Sequence, residues 1–224
     1  MILCIETSAL NCSVALYGAT GLIDTLESHD THYTHAEKLH VFIDDLLKKN
    51  QVLIKSLQAV AVSSGPGSYT GLRIGVTASK GLCYALGIPL IAVSTLEALQ
   101  EYMYVSQKYA CYIPMIDARR KEVYMQVFDD KSVTKTAVEA RVIDDAYLQA
   151  CAPNTVIFGD GAEKFRDIKP EHVHLVDSIF PSASMIGPLA LRKFESQTFE
   201  DIAYFEPFYL KDFIAGTPKK SIID

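Results

Sequence analysis

No stretch of the 224-residue sequence approaches the roughly 20 apolar residues that a membrane-spanning helix needs, which excludes a transmembrane anchor of that kind. Positive charge is scarce: 21 Lys and Arg stand against 27 Asp and Glu, for a net charge of -6. An autonomous nucleic-acid binder needs clustered cations to neutralise phosphates, so any RNA must be met through a partner that supplies them. Cysteine is sparse, with five residues and no C-x-x-C spacing, which excludes a zinc cluster and a disulfide framework and fits reduced thiols. The first residues, MILCIETSALNCS, lack a basic leader and their apolar run stops at Glu6, so no signal peptide and a cytoplasmic location are expected. What remains, 49% hydrophobic and 21% charged, is the composition of a folded globular chain. This length can bury roughly 70% of its unfolded surface, so neither disulfides nor a structural metal are needed.

Periodicity gives the plan. Residues 2–6, 13–18 and 22–28 are short apolar or alternating runs, punctuated at Asn11 and at Gly18 to Gly21, and predict three antiparallel strands. From Thr34 to Lys49 apolar residues recur at three- and four-residue steps, and Thr34-His35-Ala36-Glu37 fits a capping box, so a helix is expected there. The near-continuous apolar run 57–65 predicts a buried parallel strand. A helix over 71–86, a strand over 88–93 and a helix over 95–104 follow. This is the order of a ribonuclease-H-like lobe. The second half repeats it more loosely, with strands at 111–117, 122–129, 132–138, 154–159 and 172–176 and helices at 143–150, 161–167 and 183–196. Two facing lobes of one duplicated architecture, as in actin, hexokinase and Hsp70, are expected, divided as 1–106 and 107–224.

The segment Ser64 to Gly75, SGPGSYTGLRIG, turns from a buried strand into a helix whose bare N–H groups are suited to an anion. It matches neither the P-loop nor the G-x-G-x-x-G fingerprint, and a purely structural turn stands beside the phosphate reading. Along the helix, Gly71, Gly75, Ala78 or Ser79 and Leu82 share one face. Glycine inside a helix costs up to about 1 kcal/mol relative to alanine and usually marks close approach of a neighbour. That neighbour is either this lobe's own sheet or a helix of another subunit.

MILCIETSAL at the start, HAEKL at 35–39 and SGPGSYTGLRIG at 64–75 together resemble the TsaB (YeaZ) family. So do STLEAL at 94–99, IDARRKEVY at 116–124, FGDGAEKF at 158–165 and PFYLKDF at 207–213. The resemblance implies a two-lobed α/β fold of the actin/Hsp70 (ASKHA) class, an inactive glycoprotease-like paralogue, and a non-catalytic role in threonylcarbamoyladenosine (t6A) modification of tRNA. The implied direct partner is TsaD, which carries the metal and the transferase chemistry. TsaE joins as an ATPase, tRNA is met only through the complex, and the chain alone forms homodimers. On this pattern the partner interface is Ala36, Leu39, His40, Ile43 and Leu47 on the first helix, and Gly71, Leu72, Gly75, Ala78, Ser79 and Leu82 on the second.

The residues agree that catalysis is missing. Active relatives hold phosphates and metal with an Asp-x-Gly-Thr/Ser hairpin; here the position reads Ile5-Glu6-Thr7-Ser8, without the glycine that lets backbone approach a phosphate. A histidine pair at i, i+4 on one helix is broken, because Leu39 follows His35. A vestigial nucleotide site, taking ATP or ADP weakly in the complex, is drawn from Thr7, Ser8, Gly65, Gly67, Ser68, Arg119, Gly159, Asp160 and Gly161. The resemblance places the hairpin at 117–122 near the interlobe cleft, where Arg119 or Arg120 would meet an anion. That hairpin and the Gly159-Asp160-Gly161 turn each have a plain structural reading as well. No metal site is expected, with His29, His32 and His35 as the competing zinc candidate. The alternative function is an independent enzyme of the same fold, either an ATP-dependent phosphotransferase or ATPase, or a glycoprotease-like hydrolase.

Overall fold

The runs over the first 28 residues form β1 (Ile2–Glu6), β2 (Cys12–Gly18) and β3 (Gly21–Ser28), paired antiparallel. β4 (Ala59–Gly65) and β5 (Leu90–Ser94) add in parallel, giving the order β3-β2-β1-β4-β5. The structure, a computed structural model, describes residues 1–28 and 34–211. The second sheet holds β6 (Cys111–Asp117), β7 (Glu122–Met125), β8 (Phe128–Asp129), β9 (Glu139–Val142), β10 (Thr155–Phe158) and β11 (Val173–Val176). Its order is β11-β10-β6-β7-β9, with β8 paired to β6. Counted from β6 and leaving out β8, the strand order repeats that of the first sheet, so the duplication read from the sequence is present in the topology.

Two details of the second half differ from expectation. The strand expected over 122–129 breaks at Gln126 and Val127, and 132–138 forms only an isolated bridge from Phe128 to Thr134 before β9. Backbone bonds from Asp129 N to Val133 O and from Lys135 N to Val127 O hold the turn, and side chains add to them. Asp129 accepts from the N–H groups of Lys131 and Val133, and the Thr136 hydroxyl accepts from Val127 N at 3.1 Å. The helices expected at 143–150 and 161–167 shorten to α4 (Asp145–Gln149) and a 3-10 turn over Ala162–Phe165.

Period-two alternation sorts the first sheet. Leu3, Ile5, Val60 and Val62 face α1 (His35–Lys49) and α2 (Tyr69–Leu86), meeting Leu39, Leu46, Val76 and Cys83. Thr34 is the N-cap of α1 but makes no side-chain cap bond; its carbonyl accepts from Glu37 and Lys38, so the predicted capping box is not formed. The opposite row, Ile2, Cys4, Ala59, Ala61, Ile91 and Val93, packs on Ala183, Ile186 and Ala190 of α5 (Ala183–Glu195). Gly187 is required by this contact, because a Cβ there would lie 2.0 Å from the Tyr17 ring.

The helix that the 106/107 division assigns to the second lobe therefore completes the first. The chain after it stays there: Glu200 N donates to Leu90 O at 2.9 Å, and Ile202 and Phe205 join the α1/α2 core. α3 (Thr95–Ser106) lies between the sheets, with Ala98 packed on the first and Leu96, Leu99 and Met103 in the core of the second.

Candidate functional site

Two concave surfaces present themselves. The first is a groove of about 580 Å³ between α1 and α2, lined by Ala36, His40, Arg73, Ile74, Thr77, Ala78, Gly81 and Leu82. Of the residues expected at an interface, Ala36, His40, Ala78 and Leu82 reach it. Leu39, Ile43, Leu47, Gly71, Leu72, Gly75 and Ser79 do not; all are buried inside their own lobe. The stripe divides: Gly71, Gly75 and Ser79 face inward, while Ala78 and Leu82 sit at its edge and reach the groove. A Cβ on Gly71 would sit 2.0 Å from Thr7 O, and one on Gly75 would sit 2.2 Å from Thr7 Oγ1. Close approach is the correct inference from these glycines, and the neighbour is the end of β1. Arg73, Ile74, Thr77 and Gly81 were missed because they lie on the helix face beyond Ala78 and Leu82, turned away from the two glycines. The signal available was their own spacing of three and four residues.

The second surface is a cleft of about 730 Å³ between the lobes. Ser8, Gly67, Ser68, Arg119 and Asp160 of the expected nucleotide site line it, together with Arg120 from the same hairpin. Tyr69, Tyr124 and Lys211, which sequence reasoning did not assign to it, complete the lining named here. The remaining expected members are packing groups. Thr7 is fully buried and donates to Gly71 O at 2.8 Å. A Cβ on Gly65 would meet Phe208 O at 2.8 Å, one on Gly159 would meet Met115 O at 2.2 Å, and one on Gly161 would meet Ile116 C at 2.8 Å.

The loops that hold phosphates in active two-lobed enzymes are closed on themselves here. Glu6, fully buried, accepts from Ser8 N at 2.6 Å and from the Ser63 hydroxyl at 2.7 Å. Burial pushes its carboxyl above the usual range, against the pull of those bonds. Ser68 N donates to Ser8 O at 2.7 Å, so two of the N–H groups nearest the turn are taken by protein oxygens. His35, also buried, places Nε2 2.8 Å from Ala9 O, and burial lowers its pKa; it ties α1 to the same turn. His29 and His32 lie outside the described residues. Among the described residues no group of three or more His, Cys, Asp or Glu is placed to hold a metal.

Asp160 lies partly exposed on the cleft floor, where loss of water pushes its carboxyl up to about 7; the hydrogen bond from Asp117 N opposes this and the Asp117 charge adds to it. Its native pKa exceeds its unfolded value, so its contribution to stability is complete below about pH 4 and is lost as pH rises to 7. We expect Asp160→Asn to be more stable than the wild type at pH 8, with the gap closing as pH falls toward 4. Its limiting slope is about 1.4 kcal/mol per pH unit. Urea unfolding of both chains at several pH values checks it; parallel curves would show that Asp160 titrates normally.

Known proteins resemble this chain along most of its length. Over residues 29–215 it matches the family model "TsaD: tRNA N6-adenosine threonylcarbamoyltransferase". It is 26% identical over 226 residues to the tRNA threonylcarbamoyladenosine biosynthesis protein TsaB of Escherichia coli, covering 96% of each chain. With TsaB of Bacillus subtilis it shares 35% identity over 135 residues, covering 58% of this chain and 56% of that protein. The structure of YeaZ from Pseudomonas aeruginosa superposes with a TM-score of 0.76 at 26% identity, covering 93% of this chain and 99% of that one. The activator of 2-hydroxyisocaproyl-CoA dehydratase from Clostridium difficile, at 8% identity and a TM-score of 0.53, shares the fold alone. On the family match, the full-length relatives and the duplicated lobes, the chain belongs to the TsaD-type threonylcarbamoyltransferase family, in its TsaB/YeaZ group.

Proposed function

We propose that this chain acts in t6A biosynthesis on tRNA as a non-catalytic subunit that binds TsaD through the outward face of α1 and α2 and holds it active. The observation that carries this reading is the groove itself, apolar at Ala36, Ile74, Ala78 and Leu82 and left open at Gly81, on an α1/α2 pair whose other face is used by the lobe's core. The self-closed turn at Glu6 to Ser8 supports the absence of catalysis. The names of the relatives support the pathway. TsaE joins the assembled pair, tRNA is met only there, and the same groove pairs two copies of the chain when TsaD is absent. Any weak binding of ATP or ADP belongs to the assembled complex.

Gly81→Leu tests this reading cleanly. A Cβ there meets nothing within 4 Å, and leucine is the better helix former, so the fold is expected to gain up to about 1 kcal/mol. Mixed with the TsaD of the same organism and followed by light scattering, the wild type is expected to form a mixed complex and the variant to bind at least tenfold more weakly. Equal binding by a folded Gly81→Leu chain would move the interface elsewhere.

A further inference from the structure

Beyond α5 the chain runs as a strap over the first lobe and ends against the second. Glu200 is bonded to Leu90 at the sheet edge, and Lys80 of α2 donates to Ala203 O at 3.3 Å and to Phe205 O at 3.0 Å. Ile202 and Phe205 pack into the α1/α2 core, and Phe208 N donates to Ser64 O at 2.7 Å. Up to Phe208 the strap is therefore fastened to one lobe. The next three residues cross to the other. Tyr209 lies against Tyr69, with ring centroids 4.8 Å apart. Lys211 then pairs with Glu122 and lies 5.9 Å from the centre of the Tyr124 ring, both on β7. These five side chains all line the interlobe cleft.

Tyr69 is also the point where the two concave surfaces meet. Arg73, one turn later on α2, lines the groove on the outer face of the helix pair. Its guanidinium donates to the Tyr69 hydroxyl at 3.2 Å and lies 5.5 Å from the centre of that ring. A contiguous series of contacts thus runs from the groove to the second lobe, through Arg73, Tyr69, Tyr209, Lys211 and Glu122.

We propose that this series couples the two surfaces, so that a partner engaging Arg73 in the α1/α2 groove releases the Lys211–Glu122 latch and loosens the cleft. The identity of the occupant rests on the subunit reading above; the coupling itself resides in the free chain. The bond from Arg73 to Tyr69 is exposed and the Lys211–Glu122 pair is partly exposed, and contacts of that kind are weak enough to be exchanged. A carboxylate brought into the groove offers the guanidinium a charged, two-pronged acceptor in place of a single phenol oxygen. Drawn to it, Arg73 no longer holds Tyr69 against Tyr209, and Lys211, two residues on, loses its seat. The strap then has two discrete arrangements, latched and free, that differ only beyond the anchor at Phe208, and a two-state element of this kind is what coupling requires. The coupling is reciprocal: loss of the latch changes the occupant's affinity by the factor through which the occupant shifts the latch.

The test is amide hydrogen exchange on the full chain, read by mass spectrometry over residues 117–125 and 203–211. Arg73→Ala, made in the groove, should speed exchange over 117–125 in the other lobe by about twofold or more with no partner present. A merely structural Arg73 would disturb α2 and Tyr69 alone. Glu122→Gln removes the charge of the latch and keeps its shape, and should speed exchange over 203–211. With the TsaD of the same organism added, Glu122→Gln should bind roughly two- to fivefold more tightly than the wild type, as reciprocity demands. That difference should vanish when Tyr209→Ala cuts the series. Unchanged exchange over 117–125 in Arg73→Ala, or TsaD bound equally by the wild type and Glu122→Gln, would overturn the proposal. Failure of the wild type to bind TsaD would remove the subunit reading alone, because the exchange measurements on the free chain still decide the coupling.

Discussion

A chain ending at residue 106 is expected to remain unfolded, although it contains every strand of the first sheet. The row formed by Ile2, Cys4, Ala59, Ala61, Ile91 and Val93 is covered by Ala183, Ile186 and Ala190, and truncation would leave that face largely in water. Burying a single isoleucine side chain contributes about 1.5–3 kcal/mol, and a whole domain is stable by only about 5–15 kcal/mol. Loss of α5 together with Ile202 and Phe205 therefore removes an amount comparable with the total. Circular dichroism and urea unfolding of the fragment would show no cooperative transition, and adding a peptide spanning residues 180–208 should restore one. A cooperative transition from the fragment alone would mean that α3 suffices as cover.

Gly71→Ala and Gly75→Leu are expected to cost about 3–6 kcal/mol each, losing stability where an interface glycine would have lost only binding. At both positions the added carbon falls well inside contact distance of Thr7, so α2 must move off the end of β1. That movement breaks the Thr7 hydroxyl bond to Gly71 O, leaving a buried hydroxyl and a buried carbonyl short of partners. The two sites differ in a way that can be measured. Gly75 meets the side chain of Thr7, so Thr7→Ala should relieve part of the cost of Gly75→Ala. Gly71 meets the Thr7 carbonyl, a backbone clash that Thr7→Ala leaves in place, so the same replacement should relieve only the hydroxyl-bond part of the cost of Gly71→Ala. Urea denaturation of the two double-mutant cycles checks this; a Gly71→Ala change within about 0.5 kcal/mol of wild type would show that the helix yields freely.

The first half of the fold was legible because each element there has one dominant period. β1 and β4 alternate between two buried faces, and α1 shows a single apolar stripe. The order of the strands followed from the switch of period from two to 3.6. Partnership was harder to read. Ile186, Gly187 and Ala190 mark α5 as buried, yet nothing in their spacing says which sheet they bury; that depends on Tyr17, near the other end of the chain. The glycines of α2 announced a close neighbour without naming Thr7. Residues 132–138 carry β-branched side chains suited to a strand, but they close a tight turn on 127–129 with mixed backbone and side-chain bonds, and the ladder forms later, at 139–142. The cleft drew on Ser8, Arg119, Asp160 and Lys211, which only the folded chain brings together. Motif blocks marked all four, Lys211 within PFYLKDF, but nothing in that block tied it to the cleft.

Because α5 and the segment through residue 208 return to the first sheet, the whole second lobe is an insertion within the first. Synthesis runs in the opposite sense to completion. The first sheet is the earliest to leave the ribosome and the last to be finished, since its cover begins at Ala183, long after α3 ends at Ser106. At about 5–20 residues per second, that face waits several seconds with its apolar row uncovered. The small second lobe, whose sheet and α3 are all made before α5, is free to fold during that wait. Synthesis rate and chaperone supply should therefore govern the yield of this protein through its amino-terminal half, even though that half is translated first.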